Sequence, residues 1–385
     1  MSVRSIASPD DQSATWLELF FDLIFVFSIT QMVGMFHDGI TWSSIGQATL
    51  IFWLVWWAWS QFTWALNGAD TRNKAVEIAT LAAGAVAFAM AVTVPDAFHD
   101  RALWFAITYV VVRVFGLGLS ILVSTDTSQK NVVIPFAVLS IGGLAAVITG
   151  AVAEGQAQYW FWGGAIVLDL IAAQIGGKSG DWGLHIEHFS ERHGLFVIIA
   201  LGESLIIAAH GLAGHEFSSE LVLFAVAALV MTFGLWWSYF AEAKDRLDAA
   251  LEARRGENLT AVLKDSFSLI HFPMLLGVIA IAVVIEEGIA HPDHSFPIEV
   301  RLAFGIGLAL FVGGMAISIF RAGGGVNIPR ISITLTTSLV IVLISGIEAY
   351  LTICIAIIGL LALGLVEHLL GEPEHQSASA VPELD

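Results

Sequence analysis

The sequence is poor in charged residues: Asp, Glu, Lys and Arg make up only 13% of its 385 residues, against about 25% in soluble domains. It has a single cysteine, Cys354, which excludes an intramolecular disulfide and leaves the redox compartment undetermined. Its 16 basic residues against 34 acidic ones exclude the basic surface that nucleic-acid binding requires. Hydrophobic residues reach 57% and the mean hydropathy is +0.81, which predicts that lipid is the main solvent.

Twelve apolar runs predict transmembrane helices, because roughly 20 residues cross about 30 Å of hydrocarbon. The runs are 16–36, 45–66, 75–94, 102–123, 131–153, 157–177, 194–213, 220–240, 266–289, 298–320, 331–347 and 349–368. The last two are almost continuous, and Gly346 and Glu348 mark the expected turn between them. Without that turn the count is eleven. We therefore predict an all-α, polytopic transmembrane helix bundle.

The predicted organisation is one transmembrane domain, 16–368, between an N-terminal tail, 1–15, and an acidic C-terminal tail, 369–385. No cleavable signal peptide is expected, since the first apolar run is too long and too acidic for one. Of the 16 Lys and Arg residues, thirteen fall on one side of the predicted alternation of loops. Basic residues concentrate in cytoplasmic loops, so we expect the N-terminus in the cytoplasm.

The two halves of the domain show a weak sequence similarity that indicates an internal repeat. The first run contains Phe25-Val26-Phe27, and the seventh contains Phe196-Val197-Ile198 before Glu203. Two six-helix halves, 16–177 and 185–368, would form a parallel repeat of the kind found in transporters. The similarity spans only a few residues, so coincidence stays an equal alternative.

Ionisable residues inside apolar runs carry most of the functional information, because each costs several kcal/mol at membrane depth. Glu18 and Asp22 lie four residues apart in the first run and share one helix face. Glu203 lies near the middle of the seventh run and Arg113 near the middle of the fourth. Their similar depth motivates the hypothesis of a Glu203–Arg113 ion pair, with a purely structural pair as the alternative.

Asp169 in the sixth run and His271 in the ninth fall on the same, cytoplasmic half as Glu18 and Asp22. This placement predicts a wet, acidic vestibule that opens to the cytoplasm. A packing role for His271 is the alternative.

The densest polar cluster of the chain, residues 185–193, lies at the inner boundary of the membrane. His185, His188 and Arg192 share one face if the segment is helical, and Glu191 lies one turn from His188. Histidine and carboxylate at this spacing can bind a transition metal, and His185, His188 and Glu191 are the candidate ligands. Ordinary boundary charges are the alternative. No other cofactor is expected.

Two segments, Trp16–Gln31 and His188–Ser204, resemble the bacterial low temperature requirement A (LtrA) family. Its motifs read roughly E-L-F-F-D-L-x-F-V-F and H-x-x-E-R-x-G-L-F-x-I-I-x-L-G-E. The segment His271–Glu286 is similar to a third family patch, although Glu287 stands where a histidine commonly follows. The resemblance implies a multi-pass protein of the bacterial inner membrane and brings no settled molecular activity with it. Its motif residues fall on Glu18, Asp22, His188, Glu191, Arg192, Glu203 and His271.

The leading functional hypothesis is a secondary transporter or ion-translocating protein whose partners are the bilayer and a small solute or ion. Glu203 is then the coupling-ion or proton site, Asp22 with Glu18 an inner relay, and Arg113 a counterion or substrate anchor. One alternative is an intramembrane metal-dependent enzyme acting on a lipid or isoprenoid. Another is a structural or regulatory membrane protein whose buried charges fix helix packing. A homo-oligomer is left open.

Overall fold

The computed structural model describes residues 13–37, 39–124, 127–178, 184–214, 218–241, 243–254 and 258–378, together with Ile6. Throughout these residues the chain forms helices and connecting turns, without a β-strand. The predicted all-α, polytopic bundle is thereby confirmed. Nine helical stretches within the described residues are long and apolar enough, by length and composition, to cross a membrane.

Fourteen α-helices are found in the described residues. They are α1 (Trp16–Val33), α2 (Trp42–Asn67), α3 (Lys74–Thr93), α4 (Ala102–Val123), α5 (Thr127–Ala153), α6 (Gly155–Lys178), α7 (Ile186–Gly214), α8 (Ser219–Phe240), α9 (Ala243–Ala253), α10 (Leu259–Leu263), α11 (His271–Ala290), α12 (Ile298–Ala322), α13 (Ile328–Leu343) and α14 (Ala349–Ala378). A π-helix, Lys264–Leu269, joins α10 to α11. Helices suit this composition because in hydrocarbon every backbone N–H and C=O group must be satisfied within its own segment.

The long apolar run near the C-terminus is divided between two helices. Helix α13 ends at Leu343, α14 begins at Ala349, and Gly346 between them has a positive φ of 74°. Glycine adopts this left-handed conformation without the clash that a Cβ atom would cause. The chain therefore turns where the sequence predicts it.

The long helices alternate in direction, so the connections lie at two faces of the bundle. We call the face where α1 begins the amino-terminal face and the other the opposite face. Hydrogen bonds within each face support this arrangement: Glu191 accepts from the Ala14 backbone N–H (2.9 Å), and Gln158 donates to the Ala97 carbonyl (2.8 Å). Nearly the whole exterior between the faces is apolar, and Trp16, Trp42, Trp104 and Trp160 are exposed near helix ends. Tryptophan at such positions is typical of a membrane–water interface.

Helix pairings in the first half of the chain recur in the second. Helix α1 packs on α3, α3 on α4, α4 on α5 and α5 on α6. In the same way α7 packs on α11, α11 on α12, α12 on α13 and α13 on α14. Helices α1 and α7, which begin the two halves, pack on each other. This order agrees with a parallel repeat of 16–177 and 185–368, which stays a prediction.

Two polar segments at the amino-terminal face pack into the bundle. Residues 186–193 form the first two turns of α7, at this face, and Arg192 is fully buried. Helix α9 follows α8, and its apolar residues face the bundle. Leu247 and Leu251 are fully buried because α9 packs on α12, α8 and α7.

Candidate functional site

A buried ionic network joins α1 to α7 near the amino-terminal face. Arg192 donates from Nη1 to Glu18 Oε1 (2.9 Å) and from Nε to Asp22 Oδ2 (3.1 Å), with a further bond from Nη2 to Asp22 Oδ1. The Trp59 indole donates to the same Asp22 oxygen (2.7 Å). The three ionised side chains are completely buried. The predicted sharing of one face by Glu18 and Asp22 is therefore observed, with Arg192 as the cation that sequence reasoning did not assign to them.

His188 completes this network on the side of α2. Its Nε2 lies 3.0 Å from Glu18 Oε1, and its Nδ1 lies 3.1 Å from Asn67 Nδ2. The Asn67 amide is oriented by the His185 backbone N–H, which donates to Asn67 Oδ1 (2.9 Å). The Asn67 amide thus orients the ring with Nδ1 towards Asn67 and Nε2 towards Glu18. In this network two carboxylates share one guanidinium.

Two of the three candidate metal ligands, His188 and Glu191, face different partners. Glu191 accepts from Ala14, His188 faces Glu18 and Asn67, and the backbone of His185 is held by Asn67. Within the described ranges, no group of three His, Cys, Asp or Glu side chains is placed to hold a metal ion. A metal at His185, His188 and Glu191 stays a prediction that this geometry does not favour.

Arg113 pairs with Asp169, not with Glu203. Its Nη2 lies 3.1 Å from Asp169 Oδ1, and Nη1 donates to the Tyr109 hydroxyl (2.6 Å). Both ionised groups are buried, at 0% and 2% exposure. The Glu203–Arg113 hypothesis is therefore wrong: α4 packs on α3, α2 and α5, whereas α7 packs on α11, α1 and α8. Depth along a helix, on which that hypothesis depended, does not specify which face a residue occupies.

An aromatic layer lies directly beyond the ionic network. The Phe196 ring lies 4.4 Å from that of Trp59 and 5.7 Å from that of Trp56, centroid to centroid. The His193 and His271 rings lie 5.4 Å apart beside it. All five side chains are buried.

His271 is held within this layer by two hydrogen bonds. Its Nδ1 lies 2.8 Å from the Ser266 carbonyl, and its Nε2 lies 2.9 Å from the Tyr239 hydroxyl. Nδ1 therefore donates to the carbonyl, and Nε2 accepts from the tyrosine. The prediction of a wet, acidic vestibule at the amino-terminal face is wrong. Glu18, Asp22, Asp169 and His271 are all buried and bonded within the protein.

The π-helix explains why these carbonyls are available. Its wider turns release backbone oxygens that an α-helix would use internally, and π-helical turns are frequent at functional sites. Ser266 O accepts from His271 and from the Ser318 hydroxyl (2.9 Å), and Ser268 O accepts from the Trp56 indole (2.6 Å). The tryptophans of α2 thus bind the second half of the chain.

A cavity of about 910 Å³ opens from the opposite face and reaches Glu203. Glu203 is the deepest residue that α7 contributes, and it accepts a hydrogen bond from the Thr30 hydroxyl of α1. The other ionisable residues of the lining are Glu286, Glu287 and Glu299 with His37, His210 and His291. Among the described residues that line the cavity there is no Lys or Arg. Its walls are therefore acidic.

Sequence reasoning missed the other carboxylates that line the cavity with Glu203, and it missed one further buried ion pair. Arg330 binds Glu367 (2.9 Å) between α13 and α14. Arg330 is 1% exposed. The only available signal was that Glu367 lies inside the last apolar run, 349–368. For Glu286, the third family-like patch was a signal that composition alone did not provide.

The chain is similar in sequence to a known bacterial protein family. The bacterial low temperature requirement A protein (LtrA) family matches residues 13–366. The chain belongs to the LtrA family. An uncharacterized protein of Rhizobium meliloti (strain 1021) is 27% identical over 317 residues, which cover 79% of this chain and 76% of that protein. No solved structure matches the chain.

The LtrA-type segments meet at two levels of the bundle. The first segment supplies Glu18 and Asp22, and the second supplies the Arg192 that binds them. The second segment then continues to Glu203, which shares the cavity with Glu286 of the third. The departure at Glu287 also faces this cavity, where it adds a carboxylate. Segments far apart in sequence thus form a network, an aromatic layer and a cavity in that order along α7.

Proposed function

We propose that this LtrA-family membrane protein translocates cations, as a secondary transporter or ion-translocating protein, with Glu203 as the proton or coupling-cation site. The observation that carries the proposal is the acidic cavity that leads from the opposite face to Glu203. A cavity with walls of one charge sign concentrates counterions, and low-dielectric walls strengthen the effect. Four carboxylates and no lining Lys or Arg among the described residues favour a cation.

The depth of Glu203 supports a binding role rather than a surface role. It lies eleven residues from the end of α7 at Gly214, a distance of roughly 16 Å at the helical rise per residue. Within the described residues, no cation is paired with it, and the Thr30 hydroxyl supplies a neutral oxygen beside it. Carboxylate and hydroxyl oxygens suit a proton or a hard metal cation.

The aromatic layer separates this site from the amino-terminal face. Phe196 lies between Glu203 and Arg192 along α7, and its contact with Trp59 closes the direct route. Beyond it, the two carboxylates of the Glu18–Asp22–Arg192 network, which share one guanidinium, offer a second position for a proton. The arrangement suits alternating access, in which the state described is open to the opposite face. Asp22 and Glu18 then act as the relay, and the Arg113–Asp169 pair holds α4 in place.

We also propose that the protein lies in the bacterial inner membrane with its N-terminus in the cytoplasm. The excess of Lys and Arg at the amino-terminal face supports this orientation. Cations would then enter the acidic cavity from outside the cell.

The decisive experiment measures cation flux into proteoliposomes that contain a pH-sensitive dye, under an imposed membrane potential. Wild type is compared with Glu203→Gln and with the control Glu154→Gln, which removes an exposed carboxylate of the opposite face outside the cavity. We expect flux in wild type and in the control, and a loss of at least tenfold in Glu203→Gln. Sodium and potassium gradients with matching indicator dyes extend the assay to metal cations.

Equal flux in wild type and Glu203→Gln contradicts the assignment of Glu203. If neither wild type nor any variant transports these cations, the result favours a structural protein, whose buried ion pairs only fix helix packing.

A further inference from the structure

The acidic cavity is much larger than a proton or a metal ion requires. Its volume of about 910 Å³ lies within the roughly 300–1,000 Å³ that is typical of pockets for organic molecules. One water occupies only roughly 10–15 Å³ of cavity volume. Because a secondary transporter carries a solute besides its coupling cation, the remaining space is available for a solute of organic size.

The walls of the cavity are largely apolar between its ionisable groups. Nine of the lining residues are Phe, Val or Ile, compared with four carboxylates and three histidines. They include the two aromatic rings of the lining, Phe27 and Phe36. A hydrated inorganic cation gains nothing from such walls, whereas burial of a hydrocarbon body against them is favourable. The walls therefore suit a solute that has an apolar part as well as a charge.

Glu286 lies closer to the mouth of the cavity than Glu203 does. Helices α7 and α11 run in the same direction and pack so closely that a Cβ atom at Gly211 of α7 would clash with Ile289 of α11. Counted back from this contact, Glu286 is level with Ala208. Ala208 follows Glu203 by about five residues, or roughly 7 Å of helix. The cavity thus presents two carboxylates at different depths.

The charge of Glu286 is left for a ligand. Among the described residues that line the cavity, no Lys or Arg compensates it. The adjacent Glu287 differs, because its Oε1 lies 3.2 Å from Nδ1 of His291. Glu286 is therefore the carboxylate that can hold a positively charged group of a solute while Glu203 holds the coupling cation.

Phe36 lies at nearly the same depth as Glu286. Helix α1 runs parallel to α7, and its Thr30 is bonded to Glu203 at the inner end of the cavity. Phe36 follows Thr30 by about six residues, or roughly 9 Å of helix. An aromatic ring at this position attracts an ammonium group through its quadrupole, and quaternary ammonium ligands are recognised in this way.

We infer that the solute of this cavity is a monovalent organic cation, an ammonium group that carries an apolar body. The ammonium group binds at Glu286 beside Phe36, and the apolar body lies along the Phe, Val and Ile walls. An anion would be repelled by the four carboxylates. The inference rests on the proposed function, to which it adds the class of the substrate.

The test titrates benzyltrimethylammonium into the full-length protein in detergent, using isothermal calorimetry, with a blank titration into the same detergent buffer. Two further probes separate its parts. Tetramethylammonium keeps the charge without the apolar body, and benzyl alcohol keeps the ring without the charge. We expect benzyltrimethylammonium to bind at least tenfold more tightly than either, because only this probe uses both the carboxylate and the apolar walls.

Two variants test the assigned contacts. Glu286→Gln should weaken binding of benzyltrimethylammonium at least tenfold, because the opposing charge is lost. Phe36→Leu should weaken it about threefold, because the aromatic face is lost. The matched controls are Glu154→Gln and Phe20→Leu, since both residues are exposed and lie outside the cavity. Both controls should bind the probe as wild type does.

Equal affinity of folded wild type for benzyltrimethylammonium and either partial probe overturns the inference, and so does the absence of binding. These comparisons need no variant, so they decide the question even where Glu286→Gln fails to fold. Unchanged binding in folded Glu286→Gln overturns it as well.

Failure of the inference is distinguishable from failure of the proposed function. Flux that depends on Glu203, without binding of benzyltrimethylammonium, keeps the proposed function and overturns the inference. Binding that depends on Glu286, without flux of protons, sodium or potassium in any variant, supports the organic-cation site and contradicts the assignment of Glu203.

Discussion

At the scale of single residues, the functional core is organised by buried charges and their partners. Glu18 and Asp22 would repel each other if they were alone, and Arg192 converts their shared helix face into a bond between α1 and α7. A guanidinium suits this position because its planar fork binds two carboxylates at once. The Thr15 backbone N–H and hydroxyl donate to the second Glu18 oxygen, and the Trp59 indole adds a donor to Asp22.

Removal of this cation should destabilise the protein more than removal of the whole network. Arg192→Met leaves two buried carboxylates without a partner, and we expect it to lower the free energy of unfolding by about 3–5 kcal/mol. The triple variant Arg192→Met with Glu18→Gln and Asp22→Asn should recover part of that loss. Thermal unfolding in detergent measures both.

Arg72→Met is the control for this series, because Arg72 is exposed at the same face. Its thermal midpoint should equal that of wild type. A triple variant less stable than Arg192→Met alone would show that the network stabilises the fold beyond compensating its own charges.

At the scale of helices, close backbone approach at glycines determines how the elements pack. A Cβ atom at Gly277 of α11 would lie 2.5 Å from the Gly307 carbonyl of α12, and one at Gly307 would lie 2.9 Å from the Gly277 carbonyl. Small residues allow this approach in membranes, where helix association depends on van der Waals packing. The contact holds α11, which carries His271 and Glu286, against α12.

Gly277→Ala should therefore force α11 and α12 apart. The backbone cannot yield as a flexible side chain could, and we expect a loss of about 1–3 kcal/mol in the free energy of unfolding. Gly313→Ala on α12 is the matched control, since a Cβ there meets nothing within 4 Å. The control should be as stable as wild type or slightly more stable, because alanine is the better helix former. Equal thermal midpoints for the two variants would contradict the packing argument.

At the scale of the whole molecule, the two faces of the bundle differ in charge and in access. The acidic cavity opens at the opposite face, and the excess of Lys and Arg lies at the amino-terminal face. The proposed orientation follows from this difference. It also determines from which side of the membrane Glu203 is reached.

Cysteine labelling tests the orientation, and the chain is convenient because Cys354 is its only cysteine. In a Cys354→Ala background, Ser295→Cys places a thiol on the opposite face and Glu252→Cys places one on the amino-terminal face; both positions are exposed. In intact cells, a membrane-impermeant maleimide should label Ser295→Cys and leave Glu252→Cys unlabelled. Permeabilised cells should label both. The reverse pattern in intact cells would place the N-terminus outside.

The sequence by itself determined that the protein lies in lipid, that its fold is all-α, and that it resembles the LtrA family. Long apolar runs specify helices in lipid because no other element satisfies its own backbone there, and Gly346 marks a turn because only glycine tolerates that φ without strain. The identity of the costly residues was also readable. An ionisable residue inside an apolar run is recognisable without knowledge of the packing, and this applies to Glu18, Asp22, Glu203 and Arg113.

Only the tertiary structure decided which of these residues meet. Arg113 binds Asp169 and Arg192 binds Glu18 and Asp22, because partners depend on the rotation of each helix about its axis and on which helices are neighbours. Neither quantity is encoded in the depth of a residue along its own helix. For the same reason the acidic cavity at the opposite face could not be predicted. It is formed by carboxylates from helices that lie far apart in sequence, and it exists only where those helices leave space between them.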